Sequence, residues 1–130
     1  METNNMLNRR TLVALVALAT TAVASAQSYP NRAIRVIVPF PAGGGTDLIA
    51  REVTQKVTQS TGWTFVVENK PGAGGNLGVD AAAKSPADGY TIVLGQTSNL
   101  AINPTLYAKM PYDSVKDLAP ILLVANAPLV

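Results

Sequence analysis

Two glycine-rich loops and one polar loop contain the residues of this chain whose types and spacing could do chemistry. The first loop, Pro41–Asp47, would place consecutive backbone N–H groups just before a predicted helix. An anion is favoured there, because these N–H groups lack partners and the helix dipole is positive at that end. Glycine also lets a ligand approach the backbone closely. An isolated Gly-Gly-Gly is more often a plain tight turn. Taken by itself, this loop therefore leaves the tight turn open as the alternative to an anion site.

The second loop, Lys70–Asn76, raises the alternative of a nucleotide site. A dinucleotide fingerprint needs G-x-G-x-x-G and an acid about 20 residues further on. Gly72 and Gly74 fit, but the third position is Leu77, and the apolar run that lies about 20 residues downstream contains no acid. The sequence has no Walker motif either. A nucleotide is therefore a weak interpretation.

The third loop, Gln96-Thr97-Ser98-Asn99, follows an apolar run and offers hydroxyl and amide groups. Such groups can bond a carboxylate or a hydroxyl group, although Asn and Ser are also common in ordinary turns. Arg51 and Lys70 could supply a counter-charge for an anion. Each is more typical of a solvated surface residue, and neither is predicted to be a ligand contact.

Three short runs rich in β-branched residues are predicted to be the strands that position these loops. They are Ile34–Phe40, Thr64–Glu68 and Tyr90–Leu94, and one loop follows each of them. Their spacing leaves room for a helix between each pair, which predicts right-handed βαβ crossovers and a parallel α/β sheet. Ligands bind such sheets at the C-terminal edge of the strands, where the three loops should meet.

Two helices are predicted between these strands. The first should begin with Thr46 or Asp47 as its N-cap and stop at Gly62. Its apolar stripe, which should face the sheet, is Ile49, Val53, Val57. The second should be capped by Asn76 and run through Ala83.

The last residues predict one more strand. Ala119–Val124 is apolar and β-branched, and the sequence stops at Leu129-Val130 without a turn or polar tail. An unpaired apolar strand is poorly tolerated. A truncated chain is therefore favoured over a complete domain with a C-terminal edge strand.

The first 26 residues are typical of a secretory signal peptide. Arg9 and Arg10 precede an apolar or small run at positions 12–24, which closes with Ala24-Ser25-Ala26. The run is about 13–15 residues, short of the roughly 20 that a membrane span needs, so a stable anchor is the weaker interpretation. Cleavage is predicted near Ala26 and a periplasmic location follows. The paired arginines leave twin-arginine export open as a minor alternative.

Composition excludes several classes of function. The chain has no cysteine and no histidine, which excludes a disulfide framework, a thiol nucleophile, a serine–histidine triad and ordinary zinc sites. Without the leader the net charge is near +1 and no basic patch remains, so nucleic acid is not indicated. No cofactor or metal is predicted. An exported hydrolase is a poor alternative, because no Gly-x-Ser-x-Gly motif is present.

Several linked motifs resemble the Bug family, the extracytoplasmic solute receptors of tripartite tricarboxylate transporters. The motifs occur in the family's order over positions 30–130, and they are Pro39–Asp47, Glu68–Gly75, Ala87–Thr91, Tyr112-Asp113, Lys116–Leu118, Pro120-Ile121. The resemblance implies a two-lobed, hinged receptor of the type II periplasmic-binding-protein kind. It also implies that membrane subunits are the partners and that the ligand is a small carboxylate held between the lobes.

The resemblance also implies the site residues. It assigns ligand binding to the first loop at Ala42, Gly43, Gly44, Thr46, Asp47, and to the third loop at Gln96, Thr97, Ser98. Asp47 is expected to hold the loop by hydrogen bonds, since its charge would repel an anion. Family members are about twice as long or more, so residues 27–130 should be the first lobe, with the second lobe absent. A functionless remnant of such a receptor is the alternative.

Overall fold

The computed structural model of the chain describes residues 29–126. The predicted signal peptide, residues 1–26, lies outside the described residues. Tyr29, Pro30 and Asn31 belong to a separate unit, and the chain from Arg32 onward forms one compact unit of its own. None of the helices among residues 29–126 is long and apolar enough to cross a membrane.

The centre of the fold is a sheet of three parallel strands in the order β2-β1-β3. The strands are β1 Ile34–Val38, β2 Phe65–Asn69 and β3 Thr91–Val93. In the middle strand, Val36 lies opposite Val67 on one side and Ile92 on the other. The predicted parallel α/β sheet is confirmed.

Helices connect the strands as the spacing predicts. α1 is Gly45–Thr61 and α2 is Asn76–Ala83; after β3 a π-helical turn, Ser98–Ile102, leads directly into α3, Asn103–Leu106. Gly62 ends α1 as predicted, because its left-handed backbone (φ +76°) turns its N–H back to the Thr58 carbonyl oxygen at 2.8 Å.

The core of the unit is the middle strand. Ile34, Val36, Ile37 and Val38 are all buried, because β1 has a strand on each side and helices packed against it. Val79 of α2 and Ala50 of α1 complete this core. Burying one such aliphatic side chain stabilises a fold by roughly 1.5–3 kcal/mol for residues of the valine and isoleucine type. The β-branched run is thus the feature that anchors the loops described below.

The predicted apolar stripe of α1 is wrong in part. Ile49 is 37% exposed and Val53 is 40% exposed, whereas the buried residues of the helix are Asp47 and Ala50. The hydrogen bonds that hold Asp47 inside fix the rotation of the helix about its axis. They leave the first two members of the stripe at the surface.

The predicted strand Ala119–Val124 is also wrong. Residues 119–126 contain no helix or strand, and the side chains of Ile121, Leu122 and Leu123 are exposed. A strand requires a neighbour for its backbone hydrogen bonds. Among the described residues the sheet contains only the three strands given above, and none of them pairs with this segment.

Candidate functional site

A crevice is expected at the C-terminal ends of β1 and β3. The chain passes from β1 to β2 in one direction and from β2 to β3 in the other, so right-handed crossovers place α1 and α2 on opposite faces. In sheets of this strand order, the topological switch point lies between the first and third strands, and ligands bind there. The first and third loops are the two that flank it.

The first loop presents its backbone at the surface. Ala42, Gly43 and Gly44 are exposed, and Gly43 has the left-handed φ of +82° that glycine adopts without strain. Gly44, with φ −75° and ψ 166°, is the N-cap of α1. The predicted cap at Thr46 or Asp47 is therefore wrong, because the helix begins two to three residues earlier, within the glycines.

Asp47 is the buried anchor of this loop. Its side chain is only 3% exposed, and its carboxylate accepts hydrogen bonds from the Gly43 N–H at 2.9 Å and from Arg51 Nε at 3.0 Å. Asn69 Nδ2 donates a further bond at 3.0 Å. The Arg51 guanidinium, followed by the Gly43 and Asn69 donors, holds the pKa of Asp47 well below its usual range. Asp47 therefore stays ionised and fixes the loop, as expected for it.

The third loop meets the first through side chains. The Gln96 amide nitrogen donates a hydrogen bond to the Thr46 hydroxyl. Two residues from the two predicted groups, 50 positions apart, thus lie in direct contact. Thr97 is exposed, while Ser98 is half-buried and already helical, so the predicted four-residue loop is shorter than expected.

Asn99 links the third loop to the second. It is fully buried, and its Oδ1 accepts a hydrogen bond from the Gln96 backbone N–H at 2.9 Å. Its Nδ2 lies against Gly75, where an added Cβ would come within 2.5 Å of it and within 3.3 Å of the Phe40 ring. Only glycine fits at this point, where groups from the second and third loops meet Phe40, the residue that precedes the first loop.

A buried network of hydrogen bonds holds the backbone of Asn99 in place. The Tyr112 hydroxyl donates to the Asn99 carbonyl oxygen at 2.6 Å and lies 3.0 Å from Asn76 Oδ1. Asn103 Nδ2 donates to that same Asn76 oxygen at 2.7 Å and to the Gly74 carbonyl oxygen at 3.2 Å. Asn76 is the first residue of α2, and its predicted role as N-cap is wrong because Gly75 occupies that position. Its amide serves the network instead.

Two buried polar atoms at this junction have no hydrogen-bond partner among the described residues. They are Ser98 Oγ and Asn99 Nδ2. A buried polar group without a partner is destabilising by about 1–3 kcal/mol, so such groups are rare in folded proteins. Both atoms can donate a hydrogen bond, and both belong to the segment that flanks the switch point.

The two cations near the loops are already paired. Arg51 contacts Asp47, and Lys70 Nζ lies 3.1 Å from Glu68 Oε1. Arg51 is exposed, as expected of a surface residue, whereas Lys70 is half-buried. Sequence reasoning missed Phe40 and Asn69 as parts of the site, and it placed Asn99 in the third loop without assigning it to the ligand. The signal that could have found the two asparagines is their position, since each stands where a predicted strand ends or shortly after one.

Comparison with known proteins identifies the family. The family model of the tripartite tricarboxylate transporter family receptor matches residues 49–130. The chain belongs to this receptor family. The protein BugT of Bordetella pertussis is 44% identical over 95% of this chain, which spans 40% of the length of BugT. The resemblance to the Bug family is thereby confirmed.

Solved structures of the receptor family have the same fold over part of their length. The periplasmic binding protein BugD is 39% identical with a TM-score of 0.65, over 68% of this chain and 29% of BugD. MatC from Rhodopseudomonas palustris, solved with bound malate, is 35% identical with a TM-score of 0.65, over 68% of this chain and 30% of MatC. BugD is a periplasmic binding protein, and the α/β fold class predicted from the sequence is confirmed.

Proposed function

We propose that this chain captures a small carboxylate in the periplasm and forms part of the receptor of a tripartite tricarboxylate transporter. The observation that carries the proposal is that two donors in the segment after β3, Ser98 Oγ and Asn99 Nδ2, have no hydrogen-bond partner among the described residues. A carboxylate oxygen supplies the acceptor that these groups lack. Malate in the related MatC structure is a ligand of this chemical class.

The first loop complements these donors electrostatically. The backbone N–H groups at the start of α1 carry partial positive charge, which favours an anion next to Gly44 and Thr46. Asp47 does not oppose this, since its charge is buried and paired with Arg51. A carboxylate can therefore approach from the loop side without facing an uncompensated negative charge.

We further propose that residues 27–130 form the first lobe of a two-lobed receptor, after cleavage of a signal peptide near Ala26. Ligand capture would then be followed by hinge closure and delivery to membrane subunits. Expression in a Gram-negative host should give periplasmic protein that begins at Gln27. N-terminal sequencing that finds the leader intact on soluble cytoplasmic protein would contradict the export proposal.

Malate and its neutral diamide, malamide, test the proposed ligand class. The two molecules have similar shapes, but only malate carries carboxylates. Malate should raise the melting temperature of the purified chain in a concentration-dependent way, because a ligand that binds the folded state stabilises it by mass action. Malamide should not. Equal shifts with both compounds, or no shift with malate and a panel of other small mono-, di- and tricarboxylates, would refute carboxylate binding.

Ser98→Ala tests the site itself. Removing an unsatisfied buried hydroxyl should leave the stability of the ligand-free protein unchanged or slightly higher. It should weaken malate binding by about tenfold, the factor equivalent to one lost hydrogen bond of about 1.4 kcal/mol. Ser60→Ala is the matched control, since Ser60 lies on the exposed side of α1 and bonds only the Val57 carbonyl oxygen. Unchanged affinity in Ser98→Ala would exclude Ser98 as a ligand contact.

A further inference from the structure

We infer that Asn69 is a positioning residue that sets where the first loop presents its backbone to the ligand. Asn69 is the last residue of β2 and belongs to neither loop of the proposed site. Its Nδ2 donates to the Phe40 carbonyl oxygen at 3.0 Å and to Asp47 Oδ1 at 3.0 Å. Phe40 directly precedes the first loop and Asp47 is its last residue, so one amide group ties the two sides of the loop to a neighbouring strand. The inference rests on the proposed function.

An asparagine is suited to this place by its hydrogen-bonding pattern. Both N–H groups of the Asn69 amide are used on the loop, and its Oδ1 accepts a hydrogen bond from the Arg51 guanidinium at 3.0 Å. Two donors and one acceptor are thus needed on a short side chain. Aspartate cannot supply the donors, and leucine supplies neither donors nor acceptor.

The position of the loop follows from this amide through a short chain of contacts. Asn69 holds the Asp47 carboxylate, and that carboxylate receives the Gly43 N–H at 2.9 Å. Gly43 has a positive φ and its exposed neighbours lack side chains that could fix them otherwise. The direction of the free backbone N–H groups that follow Gly43 therefore depends on the side-chain amide of Asn69, which belongs to β2.

The position of the first loop is decisive, because no unpaired positive charge of Arg51 is available to attract the ligand. The charge of Arg51 is committed to Asp47, from which its Nε is 3.0 Å, and its remaining contact is Asn69. Affinity for an anion must then come from aligned backbone dipoles, whose effect falls off within the first turn of the helix. A small displacement of the loop should cost affinity even where the fold persists.

Asn69→Leu is the variant that tests the inference. It should speed amide hydrogen exchange at Gly43, whose N–H donates to Asp47, relative to wild type, with protection of the β1 amides unchanged. It should also weaken malate binding by about tenfold or more, as expected for the loss of a hydrogen bond that fixes the contact geometry. Gln55→Leu is the control, because Gln55 is an exposed amide on α1, one turn beyond Arg51. It should change neither measurement.

The outcomes of this experiment are distinguishable. Unchanged exchange at Gly43 in folded Asn69→Leu would overturn the inference whether or not malate binds. If wild type binds no malate, the proposed ligand is refuted, and the exchange rates still decide the role of Asn69. If exchange quickens and affinity is unchanged, Asn69 holds the loop without positioning it for the ligand, and the inference fails.

A second variant covers the case in which Asn69→Leu does not fold. Asn69→Asp keeps the size of the side chain and the acceptor for Arg51, but it places a second carboxylate beside Asp47 and the Phe40 carbonyl oxygen. The quantity to measure is the ratio of the variant's malate affinity to that of wild type at the same pH. This ratio should be low at pH 7.5 and rise towards pH 5. The reason is that the introduced carboxyl group regains one donor when it is protonated, while Asp47 and Arg51 stay charged. A ratio near one at both pH values would refute the positioning role.

Discussion

Gly78→Ala should destabilise the protein, although the same change in most helices stabilises it. Gly78 is the third residue of α2 and is buried. A Cβ at this position would lie 2.6 Å from the Pro39 Cβ, 2.7 Å from the Pro39 Cα and 2.8 Å from the Lys70 carbonyl oxygen. The ordinary contact distance between carbon atoms is about 3.5–4.0 Å. The two contacts with Pro39 carbon atoms are therefore too short by roughly 1 Å on that scale.

The size of the effect is a difference between two opposing contributions. Alanine is favoured over glycine inside a helix by about 0.8–1.0 kcal/mol. Overpacking a closely packed site costs about 1–3 kcal/mol, and the upper part of that range applies because backbone and a proline ring cannot move aside by a rotamer change. The net expectation is a destabilisation of about 1–2 kcal/mol. For a domain of about 100 residues this corresponds to a fall in melting temperature of roughly 5–15 °C.

Thermal unfolding followed by circular dichroism measures this difference, and Gly45→Ala is the matched control. Gly45 is the first residue of α1, has no positive φ, and would meet nothing within 4 Å of an added Cβ. Gly45→Ala should leave the melting temperature unchanged or raise it. The packing argument is wrong if Gly78→Ala melts at or above the wild-type temperature.

Three further substitutions test separate parts of the molecule. Asp47→Asn should lower the urea midpoint at pH 7. The pKa of Asp47 is lower in the folded state than in the unfolded state, so its carboxylate stabilises the fold above the unfolded-state pKa of about 4. The difference in urea midpoint between the variant and wild type should therefore narrow as the pH falls below about 4. Tyr112→Phe removes the hydrogen bond to the buried Asn99 carbonyl oxygen and should reduce the free energy of unfolding by about 1–3 kcal/mol in urea titrations, whereas exposed Tyr107→Phe should change it little. Gly44→Val should abolish malate binding in calorimetry while the protein remains folded, because the backbone there is extended and an added Cβ would only touch the Pro41 carbonyl oxygen at 3.4 Å.

Each of these substitutions has a specific contrary result. A difference in urea midpoint between Asp47→Asn and wild type that does not change with pH would mean that the ionised carboxylate does not stabilise the loop. Equal losses in the two tyrosine variants would remove the special role given to the Tyr112 hydroxyl. Malate affinity retained in Gly44→Val would exclude the first loop as the place where the ligand meets the backbone.

The strands and their connections could be predicted from the sequence because their signals are local. The β-branched run of β1 ends at a proline, and Gly62 stops α1, as their residue types dictate. The helix starts were misplaced because Gly44 and Gly75 act as N-caps where side chains of Thr46, Asp47 and Asn76 were expected to do so. Glycine is a permitted cap that carries no side-chain signal.

The rotation of α1 and the final segment depend on tertiary contacts, which local patterns do not report. Periodicity places Ile49 and Val53 on one apolar stripe. It cannot show that hydrogen bonds keep Asp47 buried while these two side chains stay at the surface. A β-branched composition at residues 121–124 likewise raises the strand propensity without supplying the neighbouring strand that would satisfy the backbone.

The candidate site was predictable as a set of loops but not as a set of contacts. The glycine pattern located the first loop, and the contact between Thr46 and Gln96 agrees with grouping the first and third loops together. Asn69 lies 29 positions from Phe40 and 22 from Asp47, and no spacing rule links such residues. The binding role assigned to the eight predicted residues stays a prediction, which the substitutions above are designed to test.

The strand order has a consequence for how the chain reaches this fold. β1 is made first, yet it occupies the middle of the sheet and needs both β2 and β3 beside it. Its backbone partners begin at Phe65 and Thr91, so closing the sheet requires two successive loop closures of increasing length. Parallel pairing of this kind is slow, because ordering entropy is lost before the contacts form. Until Thr91 arrives, the most apolar strand of the chain has one open edge, and an intermediate at that stage would be the species most prone to aggregate.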